Sequence, residues 1–439
     1  MATLKKENVF KNKNFSLLFA GVLVSNVAHV LFSFAISLYI LRIAYIAYGQ
    51  SQAALIQALY LATAGILLVL FVPLGGVLAD QKNKVRIMYI TDWIRGIVIL
   101  LIGVFLYFEP NVMLVLVALF IMNIIISINS AFFNPASSSL LRFIVKKEHL
   151  QQATSYLTGS QNLQSIIGLI LGGIFYASFG IYVIFIINGI GYIVSAVSEM
   201  FITYEVTHQT RTHTTLKDIL SDIKEGVHYV VNEKALFALL IMALSINFFI
   251  TPLFSNGLPY FFEFGLNREP IYLLMRYLKP EHWFSIISVA FSISAIIMSL
   301  ILSRQKTKPS YGRYLKKAIT FLVLAIVIIS LVMIGYFTQI LDINQVLILI
   351  MVGMFIGGMA SVSFNVPMGV ILQTHVDPNQ LGRVSSVLSV ISQALIPFGA
   401  LVAGILISQI SIIALYVFSI VGVILVNIFY VFNKNANLI

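Results

Sequence analysis

Few side chains in this sequence can do acid–base or ion-pair chemistry, and a handful of them lie inside long apolar runs. Asp92 and Arg95 stand one helical turn apart, so on a helix they can pair across one face. His29 follows Ser25 and Asn26 by one turn. An imidazole titrates near neutrality, so His29 can carry a proton or hydrogen-bond a substrate; alternatively, a neighbouring helix satisfies it. Gln161, Asn162 and Gln164 form a small amide group, and Asn247, Asn365 and Gln393 occur singly in apolar surroundings. Such amides either line a cavity or hold helices together. Glu199 and Arg42 lie near the ends of apolar runs and read as snorkelling or locally paired groups. An ionisable residue at the centre of a bilayer costs about 2.5–3.5 kcal/mol on insertion scales, so each of these needs a reason to be there.

Several chemistries are excluded. The chain has no cysteine, which removes disulfides, thiolate metal sites and thiol nucleophiles. It has no phosphate-binding G-x-x-x-x-G-K-[ST] loop, so direct ATP-driven work is unsupported. The histidines lack metal-ligand spacing, and His208 and His213 fall in a polar stretch where solvation accounts for them. No cofactor, bound metal or enzyme activity is expected.

The elements that must position these residues are membrane spans. Of 439 residues 59% are hydrophobic and 10% charged, with a mean hydropathy of +0.98. That composition suits bilayer as solvent. With about 20 apolar residues needed per crossing, the runs predict twelve transmembrane helices. They lie near residues 15–42, 51–78, 88–108, 112–134, 154–178 and 181–203, then 235–260, 283–303, 318–338, 345–371, 384–408 and 411–432. The first run is too long for a cleaved signal peptide and lacks a small-residue cleavage site, so it is expected to remain as the first span.

The net charge of +11 sits in short loops between these runs, which argues for topology and against nucleic acid. Lys5, Lys6, Lys82, Lys84, Arg86, Arg142, Lys146, Arg211, Lys224, Arg304, Arg313, Arg383 and Lys434 are among the many basic residues on the side of the termini. Only Arg42, Arg268, Arg276 and Lys279 fall on the other. Both termini are therefore expected in the cytoplasm.

Shifting the chain by 231 positions lays one half partly on the other without a gap. Phe133-Asn134 meets Phe364-Asn365, Leu150 meets Leu381, and Gly168 and Gly173 meet Gly399 and Gly404. A parallel duplication follows, giving an all-α, polytopic membrane protein with two six-helix bundles related by an axis normal to the membrane. The predicted domains are 1–204, a linker at 205–234 with an amphipathic segment, and 235–439.

The loop Gly76-Val77-Leu78-Ala79-Asp80-Gln81-Lys82-Asn83-Lys84-Val85-Arg86 resembles the signature loop of the major facilitator superfamily, with Gln81 and Asn83 in place of its usual arginine and glycine. Gly76 is expected to permit close helix approach. Asp80, Lys84 and Arg86 can pair with one another or with helix ends as a cytoplasmic gate; the bland alternative is an ordinary positive-inside loop. Phe133-Asn134-Pro135 with Lys147-Glu148-His149-Leu150, the segment Ile223–Val230, and Leu381-Gly382-Arg383-Val384 resemble the macrolide-efflux and siderophore-exporter branch. In span five Gly168, Gly172 and Gly173 remain for helix packing, but Leu169 holds the position of an exporter proline. The arginine that many relatives carry within span four is absent before Arg142.

The resembled fold puts span one, with His29, beside a central cavity, and span three at the periphery. There Asp92 and Arg95 read as a structural pair or an extension of the loop latch. No acidic residue stands mid-span in a cavity-lining helix, which argues against a strong cation-selective site. The resemblance implies a monomeric secondary transporter in the bacterial cell membrane. It would export a small amphiphilic compound, a macrolide or other drug-like molecule, by alternating access with protons as the coupling ion. Its rivals are a siderophore or lipid-like substrate and a non-transporting membrane sensor or assembly partner.

Overall fold

An apolar segment in lipid has no water to satisfy its backbone, so helices dominate wherever the sequence is a long apolar run. The computed structural model describes residues 9–108, 110–146, 149–204, 216–266, 271–273, 276–303, 312–376 and 381–432. Its helices are α1 (Lys13–Gln81), α2 (Lys84–Tyr107), α3 (Val112–Ile144), α4 (Leu150–Phe179), α5 (Ile181–Met200), α6 (Leu216–Asn232) and α7 (Lys234–Phe249). They continue with α8 (Leu258–Tyr260), α9 (Pro280–Ser303), α10 (Gly312–Phe337), α11 (Ile343–His375), α12 (Leu381–Ala394), α13 (Ile396–Gln409) and α14 (Ile412–Phe432). Asparagines begin three of the long ones. Asn12, Asn83 and Asn111 accept from the backbone N–H of Phe15, Arg86 and Leu114 at 3.1, 3.1 and 2.9 Å, the usual N-cap satisfaction of an orphan donor.

α1 has 69 residues. Straight, it would run on the order of 100 Å, about three times the hydrocarbon thickness. It is instead a helical hairpin. Gly49, with φ +80° and ψ 174°, reverses the chain, a conformation that a Cβ would resist. The returning leg is tied to the first by the Gln57 side-chain amide, which donates to the Ser37 carbonyl at 3.1 Å.

Among the described residues ten helical stretches are long and apolar enough to cross a membrane, the α1 hairpin counted as one of them. A shorter apolar stretch runs over Leu163–Phe179 in α4. The outward faces agree with lipid as solvent: Ile90, Ile94, Ile97, Leu101 and Val104 of α2 are exposed at helical spacing, as are Val417, Val421, Leu425 and Ile428 of α14. This is a multi-pass, almost wholly helical membrane protein. The all-α expectation meets one exception, an antiparallel hairpin of β1 (Ile271–Leu273) and β2 (Arg276–Leu278), with Tyr272 opposite Tyr277. It forms in a short Tyr- and Leu-rich stretch between apolar runs, where neither strand is long enough to cross lipid.

The chain gathers into two compact units: Met1–Ala35 with Leu67–Ile219, and Ile36–Ile66 with Leu220–Ile439. In the first, Phe15, Leu18, Met88, Leu140, Leu141 and Ala153 form a buried cluster across α1 to α4. Its most extensive seam is α2 on α5. A Cβ at Gly96 would stand 2.7 Å from Ile193 Cγ1 and 2.9 Å from the Gly189 carbonyl oxygen, so small residues bring the two backbones together. In the second unit Gly399 packs on Phe248 and Pro252, and Gly404 meets Ala58 and the Ala54 carbonyl on the returning leg of α1. Gly168, which the 231-residue shift aligns with Gly399, packs on Val27 and Val30 of α1 in the first unit. Each of these aligned glycines therefore seats its helix against the one that leads its half of the sequence.

Candidate functional site

In the first unit the α2–α5 seam encloses charge. Asp92 is 0% exposed, Arg95 4% and Glu199 0%. The Arg95 guanidinium donates from Nη1 to Asp92 Oδ1 at 2.8 Å and lies over the Phe133 ring of α3 at 4.8 Å and the Tyr192 ring of α5 at 5.4 Å. The Ser195 hydroxyl donates to Glu199 Oε1 at 3.4 Å. Four polar atoms of the trio, Asp92 Oδ2, Arg95 Nε and Nη2, and Glu199 Oε2, are buried without a hydrogen-bond partner. Tyr192 continues the file, its hydroxyl 3.2 Å from His29 Nδ1, with the Ser33 hydroxyl 3.5 Å from His29 Nε2. His29 itself is exposed. Tyr192, Ser195 and Glu199 recur at i, i+3 and i+7, one face of a helix, a spacing that groups Glu199 with its α5 neighbours but does not say that this face meets α2. Glu199 does not snorkel. The close approach that Gly96 allows buries it.

The second unit holds a different charge cluster. Arg42 donates to Glu263 from Nε at 2.8 Å and Nη2 at 3.2 Å, and from Nη2 to Glu281 Oε1 at 2.8 Å. The Arg42 side chain is 41% exposed, and those of Glu263 and Glu281 4% and 10%. Glu263 lies in a π-helical turn, Phe261–Gly265, closed by the Leu266 N–H on the Phe261 carbonyl at 3.1 Å. Such wide turns re-aim side chains and recur at functional positions. Tyr45 on α1 packs against Phe264 at 5.2 Å between ring centroids. Arg42 is thus a bidentate clamp rather than a snorkelling end group, because folding brings to it two carboxylates 221 and 239 residues away.

The other sequence candidates scatter. Asn26 donates to Gln164 Oε1 at 3.2 Å, and Gln164 to the Ser160 hydroxyl at 3.1 Å, which ties α1 to α4. Gln161 is exposed. Asn247 donates to the Ser392 carbonyl at 2.8 Å, joining α7 to α12. Asn365 donates to the Ser361 carbonyl at 2.9 Å, one turn back on its own helix, and both it and Gln393 are exposed. Gly168 and Gly172 seat α4 on Val30 and on Phe34 of α1, and Gly173 is buried.

In the basic loop, Lys84 is buried, with its ammonium 4.8 Å from the Phe143 ring centre and its backbone N–H on the Tyr204 hydroxyl at 2.9 Å. Arg86 is exposed. The close approach expected of Gly76 occurs one residue earlier: nothing lies within 4 Å of a Cβ at Gly76, whereas one at Gly75 would collide with the Ala131 carbonyl. One residue on a helix turns the face by about 100°. The side chains of Asp80, Asn162, Leu381 and Arg383, with Lys147, Glu148, His208 and His213, lie outside the described residues.

The sequence matches the family model of the Major Facilitator Superfamily over residues 17–347. It is 25% identical to "Uncharacterized MFS-type transporter YkuC" of Bacillus subtilis, covering 86% of this chain and 82% of that one. It is 23% identical to "Macrolide efflux protein A" of Streptococcus pyogenes over 93% of both chains. Among solved structures, a bacterial homologue of the iron transporter ferroportin in an inward-facing state shares the fold, with a TM-score of 0.69 at 14% identity over 98% of this chain and all of that one. These relatives are transporters rather than enzymes.

Proposed function

Because the chain belongs to the Major Facilitator Superfamily, we propose that it exports a small amphiphilic compound, a macrolide or other drug-like molecule, by alternating access driven by the proton gradient. The observation that carries export is likeness along 93% of both chains to a protein named for macrolide efflux. Counting the two legs of α1 and the apolar part of α4 separately, the helical stretches are compatible with twelve crossings. The duplication supports two six-helix halves, 1–204 and 235–439, joined by the linker 205–234. The basic-residue asymmetry supports cytoplasmic termini and the bacterial cell membrane.

In this reading the two halves rock about a midplane cavity. The Arg42 clamp joins the α1 hairpin to Glu263 and Glu281 and, with cytoplasmic termini, acts as the latch of the external side. The loop of Asp80, Lys84 and Arg86 acts at the cytoplasmic side. His29, exposed on α1, stands with Asn26, Gln161, Asn162, Gln164, Asn247, Asn365 and Gln393 as the candidate contacts for substrate or proton. An apolar cargo suits spans that carry aromatics and amides and no acid mid-span in a helix expected to line the cavity.

The test is efflux of radiolabelled erythromycin from expressing cells, with and without a protonophore. Efflux above a vector control that the protonophore abolishes supports the reading. Correct membrane insertion with no efflux removes macrolides from the substrate class. Asp80→Asn is expected to slow efflux without loss of membrane insertion, and unchanged kinetics would remove the loop from the gate.

A further inference from the structure

The seam of α2 and α5 holds two carboxyl groups, Asp92 and Glu199, against one guanidinium, Arg95, all at most 4% exposed. The groups facing this pair can be taken element by element. From α2 come Asp92 and Arg95, whose charges both act on Glu199. From α5 come Tyr192, with its ring under Arg95, and Ser195, which donates to Glu199 and interacts with Asp92. From α3 comes the Phe133 ring over Arg95, which carries no charge. From α1 comes His29, bonded to Tyr192 and within electrostatic reach of Arg95. Lys84 starts α2 about two turns before Asp92, with its ammonium over Phe143. Among the described residues Arg95 is the cation that acts on either carboxyl group.

Two ionised carboxylates beside one guanidinium would leave a net charge in a dry seam, and an unmatched buried charge is the costly state of such a cluster. The open valences point the same way. Asp92 Oδ2 and Glu199 Oε2 are buried and have no donor, and an ionised carboxylate in that position would lack bonds on the oxygen that needs them most. A single proton on one carboxyl group removes the excess charge, and two carboxyl groups that share a site hold one proton for the same reason.

We propose that Asp92 and Glu199 together bind one proton beside Arg95, as a carboxylic acid paired with a carboxylate, and that this is the coupling-proton site of the transporter. The coupling role rests on the export reading above; the bound proton does not. Release breaks one carboxyl O–H bond and passes the proton to water. It leaves both carboxylates against Arg95, a state that only a wetter seam supports. Release is thereby bound to a conformation in which water reaches α2 and α5. The route out for the proton runs past Tyr192, whose ring lies against Arg95 and whose hydroxyl meets His29 on α1.

The first test needs no substrate. Infrared spectra of the full-length protein in lipid report the C=O stretch of a protonated carboxylic acid at neutral pH. A wild-type band that disappears in Glu199→Gln and also in Asp92→Asn is expected, because either neutralisation leaves one carboxylate balanced by Arg95. No such band, or a band that survives both substitutions, overturns the proposal. If Glu199→Gln does not fold, Asp92→Asn and a pH titration of the wild-type band decide it. The second test uses erythromycin in proteoliposomes, where Glu199→Gln is expected to lose accumulation driven by a pH gradient and to keep erythromycin exchange. Retained gradient-driven accumulation removes the coupling role. A wild type that moves no erythromycin yet shows the band defeats the macrolide reading alone; uncoupler-sensitive transport without the band defeats the proton site alone.

Discussion

Each unit holds one arginine facing two carboxyl groups, and the two clusters differ in how far the arginine's donors are met. Arg42 forks onto Glu263 and bonds Glu281 as well, and its side chain is 41% exposed. Water can meet what Glu263 and Glu281 leave over, and Lys279 and His282 stand beside Glu281. Arg95 makes one bond to a charged partner and keeps Nε and Nη2 unmet in a seam that excludes water. The same charges therefore suit different work. A forked, half-wet pair can open and close at small cost, as a latch must. A dry and under-bonded trio cannot change its charge without changing its surroundings, which is what a coupling site requires.

The largest expected effect separates them by stability. Arg95→Ala strands two buried carboxyl groups and should cost about 3–5 kcal/mol, read as a lower thermal midpoint in detergent. Equal losses for Arg95→Ala and Arg42→Ala would erase the distinction. Next, Gly96→Val forces α2 from α5 without touching a charge. It should cost about 1–3 kcal/mol by overpacking and should also diminish the carboxylic acid band. A normal midpoint and an intact band would mean that the seam is not what buries the trio.

A smaller effect is expected for Arg42→Ala, roughly 1–2 kcal/mol, the worth of hydrogen bonds between charged groups discounted for solvent screening of the exposed side chain. Its sharper readout is conformational. The chain has no cysteine, so Tyr45→Cys with Phe264→Cys gives a clean pair for a short bifunctional thiol reagent. Arg42→Ala should lower the cross-linked fraction, and an unchanged fraction would show that the clamp does not hold α1 to the π-helical turn. The smallest effect belongs to Tyr192→Phe, which removes the hydroxyl from His29. About 0.5–1.5 kcal/mol should be lost, together with a slower exchange of the carboxyl proton in D2O. Exchange at the wild-type rate would take His29 and Tyr192 out of the proton path.

These contrasts mark what could be read before folding. Helical spans follow from apolar runs of bilayer length, and the reversal near Gly49 follows from a break between two of them, because both are local consequences of a backbone without water. The relation of Asp92 to Arg95 was legible for the same reason: i,i+3 spacing is a distance on a helix. Gly76 shows the limit of such reading. Two adjacent glycines look equivalent in a sequence, yet Gly75 meets α3 and Gly76 meets open space, since helix rotation about its axis is chosen by the neighbours.

The sequence by itself determined a polytopic helical membrane protein, its approximate spans, its lack of thiol chemistry and the family whose motifs it carries. Tertiary structure alone decided which charges meet. Glu199 lies more than a hundred residues from Asp92, and Glu263 and Glu281 lie more than two hundred from Arg42. No periodicity encodes those separations. They are set by close approach at glycine seams, where removing a Cβ brings two helices together and decides whether a carboxyl group ends in water or in a dry seam beside a single guanidinium.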